Sequence, residues 1–306
     1  MFASPDWDKT KLWDKPGGAM NVLPVPGRDF SFLAIQKFFQ GFQAEGSGIY
    51  YVEPDEVEEK SWNIQRVIDL PFVHRIQVVK VGSKPYLVAA TLCEGKDYEE
   101  DWSRPGSVYA GAIPEERSST WELQPILEGV SKNHGMWHSE GDPETLYISG
   151  KEGVFELEVP EKAEAGWDVT QLLGHEVSDL SLYDVDGDGK KEIVTIEPFH
   201  GDDLKIYRNI NGSWKQVFRR DINFGHVVWA GHVGGSPGVI AGSRGGRREL
   251  ELLRLDQAND GLSLKSREVL DEGGAPMQVS VVNKEGSDLI CTSNGDRDEV
   301  TLYKIS

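Results

Sequence analysis

Short runs of alternating apolar and polar residues follow one another along almost the whole chain, separated by Gly, Asn and Asp. A period of two is the pattern of half-buried β-strands, and the separators are turn formers. The clearest unit starts near His175. Its runs are Val177 to Tyr183, Glu192 to Ile196, Asp203 to Tyr207 and Ser213 to Phe218. The same plan recurs upstream and downstream, with a Trp at or near the start of the fourth run at Trp62, Trp121, Trp167 and Trp214. Such a repeat is the signature of a radial or stacked β architecture.

The last unit has runs Met277 to Val282, Asp288 to Thr292 and Val300 to Lys304, and then the chain stops. A run of the fourth-strand type stands at the other end, Trp7 to Trp13. The pattern therefore predicts an all-β fold, a six-bladed β-propeller of four-stranded blades closed by its own N-terminal strand. Closure hides sheet edges that otherwise invite aggregation. The expected organisation is one domain, 1–306, with blades at about 18–70, 71–131, 132–173, 174–221, 222–271, and 272–306 plus 1–14. A β-sandwich or two small β domains would give the terminal strand no such role.

Composition narrows the function classes. The 306 residues include 51 acidic and 32 basic side chains, a formal net charge of −19, which argues against nucleic acid or an anionic membrane as partner. Two Cys make no disulfide framework. No apolar run approaches a membrane-spanning length, and the first residues lack a signal-peptide pattern. A cytoplasmic protein is expected, although a mature secreted chain would look the same. Phosphate-loop, Gly-x-Ser-x-Gly and Cys-x-x-Cys motifs do not occur.

Asp184, Asp186, Asp188 and Glu192 stand in the segment Asp184-Val185-Asp186-Gly187-Asp188-Gly189-Lys190-Lys191-Glu192. Carboxylates at alternate positions with Gly between them can wrap a hard cation. The segment joins two strands, and it resembles the FG-GAP/VCBS repeat of β-propellers, whose acidic turn joins the first two strands of a blade. The full motif occurs once in this chain. The resemblance implies the propeller fold and a structural calcium at this turn. The same residues can also form a turn whose Asp side chains bond their own backbone.

Aligning the starts of the first strands puts His74, His134, His175 and His226 at one repeat position, with Met20 and Met277 in the other two blades. In a propeller the first strands line the central channel. Convergent imidazoles there would bind a transition metal or serve as acid and base; inherited structural hydrogen bonding is the other reading. These four are the catalytic candidates, and His138 and His232, further along first strands, are expected to be interior or lower-channel residues.

Loops on the same face supply candidates for substrate binding: Lys37, Arg75, Trp102, Arg104, His200, Arg244, Arg247 and Arg297. Guanidinium forks suit carboxylates, and aromatic faces suit sugars. The expected function is an enzyme acting on an acidic oligosaccharide or other small acidic ligand. It would abstract a proton beside a carboxylate in the manner of a lyase, with or without a metal. In architecture and residue types this is similar to the propeller-type polysaccharide lyases, but no catalytic role carries over residue by residue. A non-catalytic scaffold or ligand-binding module is the alternative, and a metal protein without turnover a third.

Overall fold

The computed structural model describes residues 2–3, 8–9, 11–55, 61–116, 121–139, 144–259, 261–284 and 286–305. Every sheet is antiparallel and each is built from consecutive strands. After a two-stranded sheet of β1 (Phe2–Ala3) and β2 (Asp8–Lys9), the first blade is β3 (Val22–Pro24), β4 (Phe32–Gln36), β5 (Gly48–Pro54) and β6 (Trp62–Asp69). The second is β7 (Val73–Val81), β8 (Lys84–Thr91), β9 (Gly106–Ala112) and β10 (Gln124–Val130). The third is β11 (Met136–Ser139), β12 (Thr145–Gly150), β13 (Gly153–Glu158) and β14 (Asp168–Leu173). The fourth is β15 (Asp179–Tyr183), β16 (Glu192–Glu197), β17 (Asp203–Ile210) and β18 (Ser213–Asp221). The fifth is β19 (Gly225–Val233), β20 (Ser236–Ser243), β21 (Leu250–Ala258) and β22 (Gly261–Asp271). The sixth is β23 (Pro276–Lys284), β24 (Ser287–Asn294) and β25 (Glu299–Ile305), three strands among the described residues. This is the six-bladed β-propeller expected from the pattern. Of the closing strand expected at Trp7 to Trp13, Trp7 and Thr10 lie outside the described residues, Asp8 and Lys9 pair with Ala3 and Phe2 in a sheet of their own, and Lys11, Leu12 and Trp13 are not strand, so the described residues do not show the expected closure.

The chain divides into two compact units, Met1–Asn133 with Glu158–Asp168, and His134–Leu157 with Val169–Ser306. In the first, Leu33, Ile35, Ile49, Phe72, Leu87 and Leu92 are fully buried in one cluster. In the second, the fourth and fifth blades share a core of Val194, Ile196, Leu204, Ile206, Val239 and Leu253. Each such side chain contributes about 1.5–3 kcal/mol by leaving water. Two of the second strands are covered on both faces: all six residues of β12 and all six of β16 are buried, polar ones included.

Adjacent first strands belong to different sheets, so side chains bridge them. In the first unit Asn21 Oδ1 accepts the Ile76 N–H at 2.9 Å. In the second, Asp179 Oδ2 accepts the Val228 N–H at 2.9 Å and Ser181 Oγ accepts the Ala230 N–H at 2.8 Å. Asn21 and Asp179 occupy the same repeat position, and so do Ile76 and Val228. An unmade bond to a buried amide costs about 1–3 kcal/mol. Asp179→Ala should therefore destabilise the chain by about that amount, measured as a lowered urea midpoint. An unchanged midpoint would show that the bridge contributes nothing to stability.

Candidate functional site

The pairing of first and second strands fixes which side chains share a register. The penultimate residues of the second strands are Ile35, Ala90, Ser149, Ile196, Gly242 and Ser293. Opposite them stand Asn21, Arg75, Gly135, Asp179, Val227 and Gln278. The residues one step earlier are Met20, His74, His134, Ser178, His226 and Met277. Five of these agree with the alignment drawn from the sequence. The fourth blade departs from it: the register position belongs to Ser178, and His175 lies three residues early. The error arose because the strand at 177–183 begins two residues later than its alternation suggests.

His200 joins two of the register histidines instead. It stands between β16 and β17, in a left-handed conformation with φ of 50°. The tight turn there is closed by the Gly201 N–H donating to Pro198 O at 2.8 Å. A Cβ at Gly201 would lie 2.2 Å from Glu197 O, so only glycine fits. Ser178 Oγ accepts the His200 N–H at 3.1 Å, and Asp202 Oδ1 accepts the Phe224 N–H at 2.9 Å. Ser178, sitting where the other blades carry His, thus anchors the loop that delivers an imidazole from elsewhere.

The result is a packed trio. Ring centroids of His134 and His226 are 4.8 Å apart, those of His134 and His200 4.9 Å, and those of His200 and His226 5.0 Å. His134 stands perpendicular to the other two, which are near parallel. His134 and His226 are buried, His200 half-buried. One ring nitrogen of each lies within 4.8 Å of the others. Three imidazoles bound to one tetrahedral ion at nitrogen–metal lengths of about 2 Å have centroids about 5 Å apart. The spacing and the all-imidazole donor set fit a divalent transition metal with an open fourth position.

Aromatic and cationic groups adjoin the trio. Phe199 stacks on His200 at 4.1 Å and meets His134 edge-on at 5.7 Å. Phe224 lies 5.2 Å from His200, and the Arg244 guanidinium carbon lies 5.3 Å from the Phe224 ring centroid. The Arg244 N–H donates to Phe224 O at 2.8 Å, which ties the two loops together. Arg244 is half-buried, and among the described residues its guanidinium makes no hydrogen bond or ion pair. Burial lowers its pKa, against the pull of Asp296. A half-enclosed cation without a carboxylate in contact is a ready anion site.

The other expected residues are placed differently. His74 is buried in the first unit, its ring 5.3 Å from Phe38. Arg75, next to it, is buried as well. Lys37 is half-buried with φ of 62°, and its N–H donates to Gly17 O. Trp102 is covered by the Lys96 ammonium 3.1 Å from its centroid and by Phe42 at its edge. Arg104 is engaged by Asp97 at 2.7 Å, and Arg297 by Asp271 at 2.9 Å and Glu299 at 3.1 Å. Arg247 is exposed, 3.7 Å from Glu249. Half-buried His138 pairs with Glu144 at 2.7 Å, whereas His232 is exposed.

The acidic turn is held by its own side chains. Asp184 accepts the N–H groups of Gly187, Asp188 and Gly189, and Asp188 accepts that of Lys190. Asp184, Asp186 and Asp188 each offer an oxygen within 4.8 Å of the others, a set that could hold a cation. Glu192 lies outside that set of three, accepting from Arg208 Nε at 2.7 Å and from the Val185 N–H at 3.2 Å. Arg208 also bonds Asp186. Burial pushes the Glu192 carboxyl up, and Arg208 opposes it. Arg208 carries no signal in the motif itself, because it lies on the neighbouring strand β17.

No protein-family model matches the chain, and no curated protein matches it. Solved structures do. A putative oxidoreductase (glucose dehydrogenase) from Thermus thermophilus is 13% identical, with a TM-score of 0.55 over 94% of this chain and 96% of that one. A leech intramolecular trans-sialidase is 9% identical, with a TM-score of 0.54 over 95% and 68%. A putative 6-phosphogluconolactonase from Bacteroides fragilis is 10% identical, with a TM-score of 0.52 over 93% and 83%. At these identities the likeness establishes the propeller fold alone.

Removing Arg208 would leave Glu192 and Asp186 buried without their cation. Arg208→Met should cost about 3–5 kcal/mol, read by chemical denaturation in calcium-free buffer. A loss below about 1 kcal/mol would mean the turn is held by its backbone bonds alone.

Proposed function

We propose that this protein is a carbohydrate-active enzyme that removes a proton beside the carboxylate of an acidic sugar, in the manner of a lyase. The observation that carries the reading is the packed trio of His134, His200 and His226. In this reading the trio holds a divalent transition metal, which when bound would neutralise charge developing on the substrate carboxylate. Arg244 binds the same anionic group as a fork, and Phe224 and Phe199 form the apolar wall against which a sugar face packs. Similar folds named as a glucose dehydrogenase, a trans-sialidase and a phosphogluconolactonase make a carbohydrate substrate reasonable. The partner is then a small acidic saccharide, and the net charge of −19 leaves nucleic acid an improbable ligand.

Elemental analysis of the purified chain tests the trio. Close to one transition-metal ion per chain is expected, with affinity falling more than tenfold in His200→Ala. Arg244→Ala should raise KM for an oligouronate at least tenfold and leave the metal content unchanged. A chain that takes up no transition metal, or one whose uptake ignores His200, would reduce the trio to packing and favour the scaffold reading.

A further inference from the structure

A second cluster of titratable groups lies beside the trio, centred on Glu197. This carboxylate is 2% exposed, yet four side chains reach it. Thr195 Oγ1 donates to Oε1 at 2.7 Å. Lys205 Nζ donates to Oε2 at 2.7 Å, and the Tyr207 hydroxyl to Oε2 at 3.2 Å. His175 Nε2 lies 3.2 Å from Oε1 and 3.2 Å from the Tyr207 oxygen. Asp203 is 3.4 Å from Lys205 and is itself paired with Arg219. Glu176 is the remaining charge next to His175 in the chain.

The Tyr207 hydroxyl is placed to donate to Glu197 Oε2, while His175 Nε2 faces the Tyr207 oxygen and Glu197 Oε1. With Tyr207 donating to Glu197, the tautomer protonated at Nε2 is the one that satisfies both contacts, and it leaves Nδ1 its lone pair. The His175 side chain is 45% exposed, and among the described residues Nδ1 has no hydrogen-bond partner. A carboxylate behind one nitrogen and an open lone pair on the other is how a general-base histidine is built. Tyr207 is kept protonated, since burial and then the Glu197 charge push its pKa up. Burial works against the Lys205 ammonium, but Glu197 and Asp203 outweigh it.

The dyad is tied to the trio at two points. Glu197 and His200 are three residues apart, which bounds their Cα separation at about 11 Å. His175 and Ser178 are also three apart, and Ser178 Oγ accepts the His200 N–H while His175 Nε2 lies 3.2 Å from Glu197 Oε1. The two short segments are thus in contact at both ends.

We propose that His175, oriented by Glu197 and Tyr207, is the general base of the elimination, an assignment that rests on the function proposed above. The hydrogen on the carbon next to the substrate carboxylate passes as a proton to Nδ1. The electron pair of that C–H bond forms a double bond to the neighbouring carbon as its C–O bond breaks. The departing oxygen keeps the C–O pair and takes the proton back from the imidazolium. One unsaturated acid and one alcohol result, and the histidine is restored without an outside reagent.

The test uses the full chain with an oligouronate, following absorbance of the new double bond conjugated to the carboxylate. His175→Ala should lower kcat at least about a hundredfold, with KM within about threefold, unchanged metal content and an unchanged far-UV spectrum. An active wild-type chain whose His175→Ala variant keeps kcat within about threefold would overturn the assignment. If the wild-type chain performs no elimination, the proposed function fails, and the dyad is judged by 15N NMR of labelled histidine. A neutral His175 protonated at Nε2, losing that preference in Tyr207→Phe with Glu197→Gln, supports the dyad. An Nδ1-protonated or freely exchanging ring overturns it.

Discussion

Everything at the candidate site hangs on one pairing constraint, the register between the first and second strand of each blade. A strand's side chains alternate between faces, so a slip of one residue would turn every register histidine to the other side. Ser149 N bonding Gly135 O, and Gly225 and Val227 opposite Ser243 and Gly242, hold His134 and His226 in corresponding places. The side-chain bridges from Asp179 and Ser181 to β19 then lock the fourth blade to the fifth. The imidazoles meet because the backbone leaves them no other register.

The fourth blade gains from breaking the repeat. With Ser178 at the register position, its short hydroxyl leaves room and supplies an acceptor for the His200 backbone. The histidine then comes from the loop after β16 and approaches from another direction. Three imidazoles delivered by two strand positions and one turn can surround a point, whereas side chains from equivalent positions alone point along equivalent directions. Gly201, closed onto Pro198 and unable to carry a Cβ, is the local cost of that geometry.

Much of this was legible in the residues. Period-two alternation and turn formers gave the strands, and the Trp at fourth strands marked the repeat. Register histidines were visible at 74, 134 and 226. His175 was misassigned because alternation alone does not say where pairing begins: Val177 and Ser178 continue the pattern but precede β15. His200 was visible as a loop residue, but its place among the trio depends on a turn and on Ser178 across the sheet. Glu197, Lys205 and Tyr207 were hidden for a plainer reason. Each alternates correctly within its strand, and only the cross-strand pairs Glu197–Asp203 and Ile193–Tyr207 place them around one another.

Charge organises the same region. On an acidic chain most guanidinium groups are taken: Arg104, Arg208, Arg219, Arg220, Arg267 and Arg297 all meet carboxylates. Arg244 stands apart, with Asp296 near enough to attract it but bonded to Arg248 instead. A half-buried charge with no carboxylate in contact is less favourable than a paired one. In the proposed function an anion bound at Arg244 would offset that cost. Glu197 shows the opposite arrangement: its buried carboxyl group is met by Thr195, Lys205 and Tyr207, with His175 3.2 Å away. Arg244 is thus tied to the His200 loop through Phe224, and His175 through Ser178 and Glu197, so a cation and a carboxylate-backed imidazole both depend on the one turn that breaks the repeat.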